Sequence, residues 1–352
     1  MSDDILIRRE GHAGRITLNR PDALNALTWE MCAAIHDALR LWIDEADVRL
    51  VLIEGAGRAF CAGGDIREMH ARGIAGDHDY GRRFWADEYR MNLAIARYPK
   101  PVVSFLQGFT MGGGVGVGCH AVHRIVDDSS RIAMPECGIG LVPDVGGSLL
   151  LSRAPGRLGE FLGLTGTRMG PGDAILCGFA DHYVPGDWEG VKSELCSTGD
   201  PGRLAEFEQA PPEAPLAGLI DFASDCFAGE TLRDILNALR HSDDPEATRS
   251  LDRLQKISPL SAACTVELIH RVRGLGTIRD ALRIEYRFTS RASENGDFLE
   301  GIRALIIDKD NAPHWKHDDP GAVPPHEMSA MLRPPSGGDL MFDDMVGGEV
   351  PQ

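Results

Sequence analysis

No stretch of this 352-residue sequence reaches the roughly 18 consecutive apolar residues that a membrane helix requires, so no membrane-spanning helix is expected. No two of its eight cysteines form a C-x-x-C pair, which argues against a zinc site and a dense disulfide framework. They read as reduced, mostly buried small apolar residues. There is no G-x-S-x-G, which excludes a serine-hydrolase elbow, and no glycine run followed by Lys-Ser/Thr, which excludes a P-loop. Positive charge is scarce: 36 Lys and Arg against 53 Asp and Glu leave a formal net charge of −17. With no long basic stripe to offset it, nucleic acid is not an expected partner. The opening Met1-Ser2-Asp3-Asp4 has neither the apolar core of a signal peptide nor the Arg/Ser bias of a transit peptide. A cytoplasmic location is the expectation.

What is present reads as α/β. Residues 5–19 alternate apolar and polar around a turn at 11–14, which predicts a hairpin. Thr28 is placed to cap a helix with Cys32, Ile35, Leu39 and Trp42 on one face. Short apolar strands are expected at 50–53 and 102–106, with helical spacing over 82–96 stopped by Pro99 and Pro101. Strand, helix, strand, glycine loop, helix is the grammar of successive crossovers, and it persists to about Val184. Three parts are expected: an α/β core at 1–185, a helical region at 186–320 and a mobile tail rich in Pro, Gly and Asp at 321–352. The helices of the second part are read at 186–196, 203–208, 216–228, 230–240, 259–273 and 276–294.

Three stretches carry chemistry. Phe60-Cys61-Ala62-Gly63-Gly64-Asp65-Ile66 and Gly108-Phe109-Thr110-Met111-Gly112-Gly113-Gly114-Val115-Gly116 are small-residue loops between a strand and a helix. Such loops let backbone N–H groups approach a ligand closely. Either alone is weak evidence, since glycine loops usually only turn the chain; the pair, about fifty residues apart in an α/β frame, is stronger. The third stretch runs from Met134-Pro135-Glu136 to Pro143-Asp144-Val145-Gly146-Gly147. Its two carboxylates stand in an otherwise apolar or small segment, and so are either solvated loop acids or desolvated ones with a raised pKa.

Together these stretches resemble the crotonase (enoyl-CoA hydratase/isomerase) superfamily, and within it the 3-hydroxyisobutyryl-CoA hydrolase branch. The narrower resemblance extends through Glu285-Tyr286-Arg287, residues 297–304, Ile307-Asp308-Lys309-Asp310 and Pro313-His314-Trp315-Lys316. It implies a ββα spiral core with a C-terminal helical region, and an acyl-CoA substrate. The backbone N–H groups of Gly64 and Gly113 would form an oxyanion hole, Glu136 would be the principal catalytic carboxylate, and Asp144 would assist it. Glu88 falls where the hydrolases contact substrate. Ala23, Leu24 and Ala62, with Asp65 and Ile66 of the same loop, fall where relatives cradle coenzyme A. No metal and no cofactor is implied, coenzyme A being part of the substrate. The family also suggests a homo-oligomer, trimer or hexamer, and a place in valine catabolism.

Two departures matter. Superfamily hydratases carry a second glutamate two residues after the last glycine of the GGG run, where this sequence has Gly116. Hydration needs a water held between two acids, so hydrolysis is favoured over it. Asp22 stands where relatives usually carry a basic residue, which removes one expected contact to polyanionic coenzyme A. Local donors must then overcome the acidic global field within about 8 Å. The expected activity is hydrolysis of a short β-hydroxyacyl-CoA thioester. The alternatives are an isomerase or hydratase of the same superfamily, or a non-catalytic acyl-CoA binder. Cys61 and Cys137, with no base near in sequence, are set aside as nucleophiles. His120 and His123 read as packing or surface residues, and the alternating charges of 276–310 as a solvated helix face.

Overall fold

The computed structural model describes residues 3–342; Met1, Ser2 and the last part of the tail, 343–352, lie outside the described residues. The alternating N-terminal segment pairs as an antiparallel hairpin of β1 (Ile5–Glu10) and β2 (Ala13–Leu18), turning at Gly11. In α1 (Trp29–Trp42) the Thr28 hydroxyl accepts from the Met31 N–H at 3.2 Å. Its Cys32, Ile35, Leu39 and Trp42 form the expected buried stripe. The chain continues through β3 (Leu50–Gly55), α2 (Ile66–Ile74), α3 (His78–Ala96) and β4 (Val102–Phe105). It then forms β5 (Phe109–Met111), α4 (Gly113–Gly118), β6 (His123–Val126) and β7 (Arg131–Ala133). Next come α5 (Gly147–Arg153), α6 (Leu158–Thr165), α7 (Pro171–Leu176), the short β8 (His182–Tyr183) and α8 (Glu189–Thr198).

Six strands make one sheet in the order β1-β2-β3-β4-β6-β8, parallel from β2 onward, while β5 and β7 form a separate parallel pair. This is the ββα spiral expected from the resemblance. β3 is apolar from Leu50 to Ile53 because both its faces are covered there. Val51 and Ile53 enter the main core; Leu50 and Leu52 enter a second cluster with Trp188, Val191 and Leu195.

Beyond β8, among the described residues, the chain is helical: α9 (Ile220–Cys226), α10 (Leu232–His241), α11 (Pro245–Leu254), α12 (Pro259–Leu275), α13 (Ile278–Asn295), α14 (Phe298–Ile302) and α15 (Pro325–Leu332). The sequence reading passes over α11, which starts on Pro245 with the Asp244 carboxylate accepting from the Glu246 N–H at 2.7 Å. The helical region shares the main core with the spiral, with α13 packed along α3 and α12 along α5. The expectation of a mobile tail from 321 is corrected as far as 342. There α15 buries Met331 and Leu332 against α12 and α13, Leu340 and Phe342 join the core, and Asp339 pairs with Arg287 at 2.7 Å. A Pro- and Gly-rich segment is ordered where enough apolar side chains dock. No helix among the described residues is long and apolar enough to cross a membrane.

Candidate active site

The two glycine loops meet. Parallel bridges join Leu27 to Gly64 and Cys61 to Thr110, and the Met111 N–H donates to Cys61 O at 2.9 Å. The loops are thereby tied to each other before any side chain is counted. Gly112, at φ 50°, takes the left-handed conformation that glycine tolerates, turning the chain into α4. Gly113 opens that helix, so its N–H has no intrahelical acceptor. A Cβ at Gly113 would lie 3.3 Å from the Gly64 nitrogen and 2.7 Å from Glu88 Oε1; one at Gly112 would lie 3.0 Å from Glu136 Oε1. Neither the Gly64 nor the Gly113 N–H donates to an acceptor among the described residues. Two backbone amides and two carboxylates thus lie around the point where the loops meet.

That point lies in a cavity of about 450 Å³. One wall is Ala62, Gly63, Gly64, Met111, Gly112 and Gly113, and the floor carries Glu88, Glu136 and Asp144. Further lining comes from the C-terminal region, through Phe298, Gly301, Ala304, Leu305, Asn311 and Pro313. The helical region therefore helps to line the cavity.

Of the two readings open for the loop acids, desolvation holds. Glu88, Glu136 and Asp144 are only 2 %, 4 % and 4 % exposed. One oxygen each of Glu88 and Glu136 is buried without a hydrogen-bond partner. Burial, with Asp144 close by, pushes both well above the usual carboxylate range. Burial also raises Asp144, to about 7, against the opposing hydrogen bond that Tyr89 donates to its Oδ2 at 2.7 Å. Burial lifts the thiols of Cys61 and Cys137 to about 12, so neither is a thiolate at neutral pH.

Of the remaining expected contacts, Ala62 and Ile66 line the cavity, while Ala23, Leu24 and Asp65 do not. Ala23 is exposed on a single 3-10 turn, and Leu24 O accepts from the Ala62 N–H at 3.0 Å, setting the edge of the first loop. The Asp65 carboxylate is turned to Arg20 Nη2 at 2.9 Å.

Sequence reasoning missed two groups at the site, Tyr89 and Glu285. Glu285 corrects the solvated reading of 276–310 at one position. It is fully buried and accepts from the N–H groups of Gly146 and Ser148 at 2.8 and 3.2 Å and from the Ser148 hydroxyl. The signal was an acid inside the apolar stripe of α13, among Ala281, Leu282, Phe288 and Ala292. His120 lies under the same loop, Nε2 at 2.8 Å from Val145 O, and burial holds its pKa down near 4.

Gly116 is as informative as the acids. A Cβ there would lie 2.6 Å from Asn92 Nδ2 and 2.7 Å from Val145 Cβ. The position of the second hydratase glutamate is therefore closed by packing as well as vacant in sequence.

Two glycine loops joined beside buried carboxylates, on a ββα spiral, have the layout of a crotonase-class fold. The chain belongs to the enoyl-CoA hydratase/isomerase family, whose pattern matches residues 13–332. It is 37 % identical to the mitochondrial 3-hydroxyisobutyryl-CoA hydrolase of Rattus norvegicus, over 96 % of this chain and 91 % of the rat protein. Among solved structures it resembles an enoyl-CoA hydratase from Rhodobacter sphaeroides 2.4.1, with a TM-score of 0.92 and 55 % identity over 96 % of this chain and 100 % of that one. It also resembles a carnitinyl-CoA dehydratase from Mycobacterium thermoresistibile, with a TM-score of 0.92 and 41 % identity over 97 % and 100 %.

Proposed function

We propose that the protein hydrolyses a short β-hydroxyacyl-CoA thioester, with 3-hydroxyisobutyryl-CoA the first choice, releasing 3-hydroxyisobutyrate and coenzyme A. The observation that carries the proposal is the desolvated Glu136 carboxylate beside two free amides, with Gly116 packed too tightly to carry the acid that superfamily hydratases place at that position.

The thioester oxygen is read between the Gly64 and Gly113 N–H groups, which stabilise the oxyanion as the carbonyl carbon becomes tetrahedral; one such donor is worth about 3–4 kcal/mol. Glu136, ionised, acts on that carbon in one of two ways. It attacks directly, giving a mixed anhydride that water cleaves, or it takes a proton from the attacking water. One turnover in ¹⁸O-water with excess enzyme separates the routes, since only direct attack leaves label in the Glu136 carboxyl. Asp144 is read at the acyl end, where its carboxylate accepts the substrate's 3-hydroxyl. Water is the co-substrate and no cofactor enters. A homo-oligomer, trimer or hexamer, a cytoplasmic location and a role in valine breakdown belong to the same proposal; the rat relative's name places that protein in mitochondria.

Hydration of an enoyl-CoA has one observation in its favour, the name of the 55 % identical R. sphaeroides structure. Thiol release from 3-hydroxyisobutyryl-CoA, followed with a thiol reagent, tests the proposal. All eight protein cysteines are buried, so the background is low. The wild type is expected to release thiol, and Glu136→Gln to lose at least about a thousandfold in rate, roughly 4 kcal/mol of barrier. Equal release from both proteins removes Glu136 as the catalyst. No release, with hydration of crotonyl-CoA instead, makes the protein a hydratase.

A further inference from the structure

Helix α13 lies in the helical region, yet one of its side chains reaches the acid loop of the spiral and another reaches the tyrosine bonded to Asp144. Glu285 accepts from the Gly146 N–H at 2.8 Å and from both the N–H and the hydroxyl of Ser148. Thr289 follows one helical turn later on the same face, fully buried, with its hydroxyl 3.3 Å from the Tyr89 phenol oxygen. That phenol has one proton and gives it to Asp144 Oδ2 at 2.7 Å. Between the two attachments the backbone is unusual. Val145, directly after Asp144, has φ 54°, a genuine outlier for a β-branched residue, and Gly146 has φ 79°. Such a turn persists where surrounding contacts over-determine it, and here they come from Glu285 and from His120 on Val145 O.

We propose that Tyr89, Glu285 and Thr289 are positioning residues for Asp144, so that α13 sets how strongly the site discriminates for a 3-hydroxyl on the acyl group. Glu285 clamps the loop behind Asp144, while Tyr89, braced by Thr289, orients its carboxylate. This rests on the reading of Asp144 as the acceptor of that hydroxyl.

The titratable groups facing Asp144 are Glu88 and Tyr89 from α3, Glu136 from the turn after β7 and Glu285 from α13. His120, under Val145, stays neutral through burial. Burial raises Asp144 and the Tyr89 hydrogen bond lowers it, so loss of the phenol proton raises it further. The acid limb of a step that needs ionised Asp144 then moves to higher pH.

The experiment compares kcat/KM for 3-hydroxyisobutyryl-CoA and isobutyryl-CoA across pH, in the wild type and in Tyr89→Phe, Thr289→Val, Glu285→Gln and Asp144→Asn. Asp144→Asn, the reference, should lower the ratio between the two thioesters most. Tyr89→Phe should lower it about tenfold and move the acid limb upward by about half a pH unit or more. Glu285→Gln should lower the ratio severalfold, and Thr289→Val less. If Asp144→Asn lowers the ratio while Tyr89→Phe, Thr289→Val and Glu285→Gln keep the wild-type ratio and limb, the clamp is wrong and the reading of Asp144 stands. If Asp144→Asn leaves the ratio unchanged, that reading fails and takes the clamp with it. Should Glu285→Gln not fold, the near-isosteric Tyr89→Phe and Thr289→Val decide.

Discussion

Two groups of buried carboxylates in this molecule titrate in opposite directions. On the sheet, Glu54 is closed in by Arg15 at 2.7 Å, Lys192 at 2.8 Å and the Thr17 hydroxyl at 2.6 Å; burial alone would raise it, but these partners hold it near 2. Glu160, between Arg273 at 2.7 Å and His270 at 3.2 Å, is likewise held near 2 despite its burial. In the cavity, burial raises Glu88, Glu136 and Asp144, and behind the acid loop it pushes Glu285 to about 8, with no cation among the groups that offset any of them. The paired acids are bound into the scaffold. The cavity acids, with no cation, store unfavourable desolvation where a substrate can relieve it.

Substitutions that break this contrast should separate activity from stability. Gly113→Ala brings a methyl group against Glu88 Oε1 and disturbs one of the two amides proposed to hold the oxyanion. The expected loss is about a hundredfold or more in kcat, roughly 3 kcal/mol of barrier, with an almost unchanged urea midpoint. Arg15→Met should do the reverse. It leaves Glu54 with Lys192 as its nearest cation, and urea denaturation should show a loss of about 3 kcal/mol while kcat per folded molecule is retained.

The pH dependence of stability sharpens the same contrast. Asp144 holds its proton more tightly folded than unfolded, so its contribution is full below its ordinary value near 4 and is lost as pH rises through about 7. Glu54 and Glu160 have the opposite sign: their contribution is present above about 4.5 and is lost as pH falls towards 2. Urea denaturation at several pH values should find Asp144→Asn more stable than the wild type at pH 8, by about 1 kcal/mol or more, with the gain gone at pH 4. A gain that persists at pH 4 would tie the effect to packing instead of charge. The smallest effect belongs to a charge in water. Asp22 is exposed beside the first loop, and Asp22→Lys should lower KM two- to fivefold at low salt, about 0.5–1 kcal/mol, and much less at high salt.

The comparison also shows what was legible in the sequence. The hairpin, the Thr28-capped helix, the strands and both glycine loops follow from local period and composition, and they appear where expected. Glu136 and Asp144 stood out because acids are rare in an apolar run. Tyr89 and Glu285 did not, because their roles arise from contacts 55 and 139 residues away in the chain. Whether a buried acid has a cation is equally non-local: the partners of Glu54 come from β2 and α8. The docked tail was misread because composition reports flexibility without reporting the groove that receives Leu332 and Phe342.

The most direct measurement is a crystal structure of Glu136→Gln with 3-hydroxyisobutyryl-CoA bound. The expected complex has the thioester oxygen within about 3.1 Å of both the Gly64 and Gly113 nitrogens, and the 3-hydroxyl on Asp144. A carbonyl turned away from both amides, with the acyl chain outside the cavity, would contradict it.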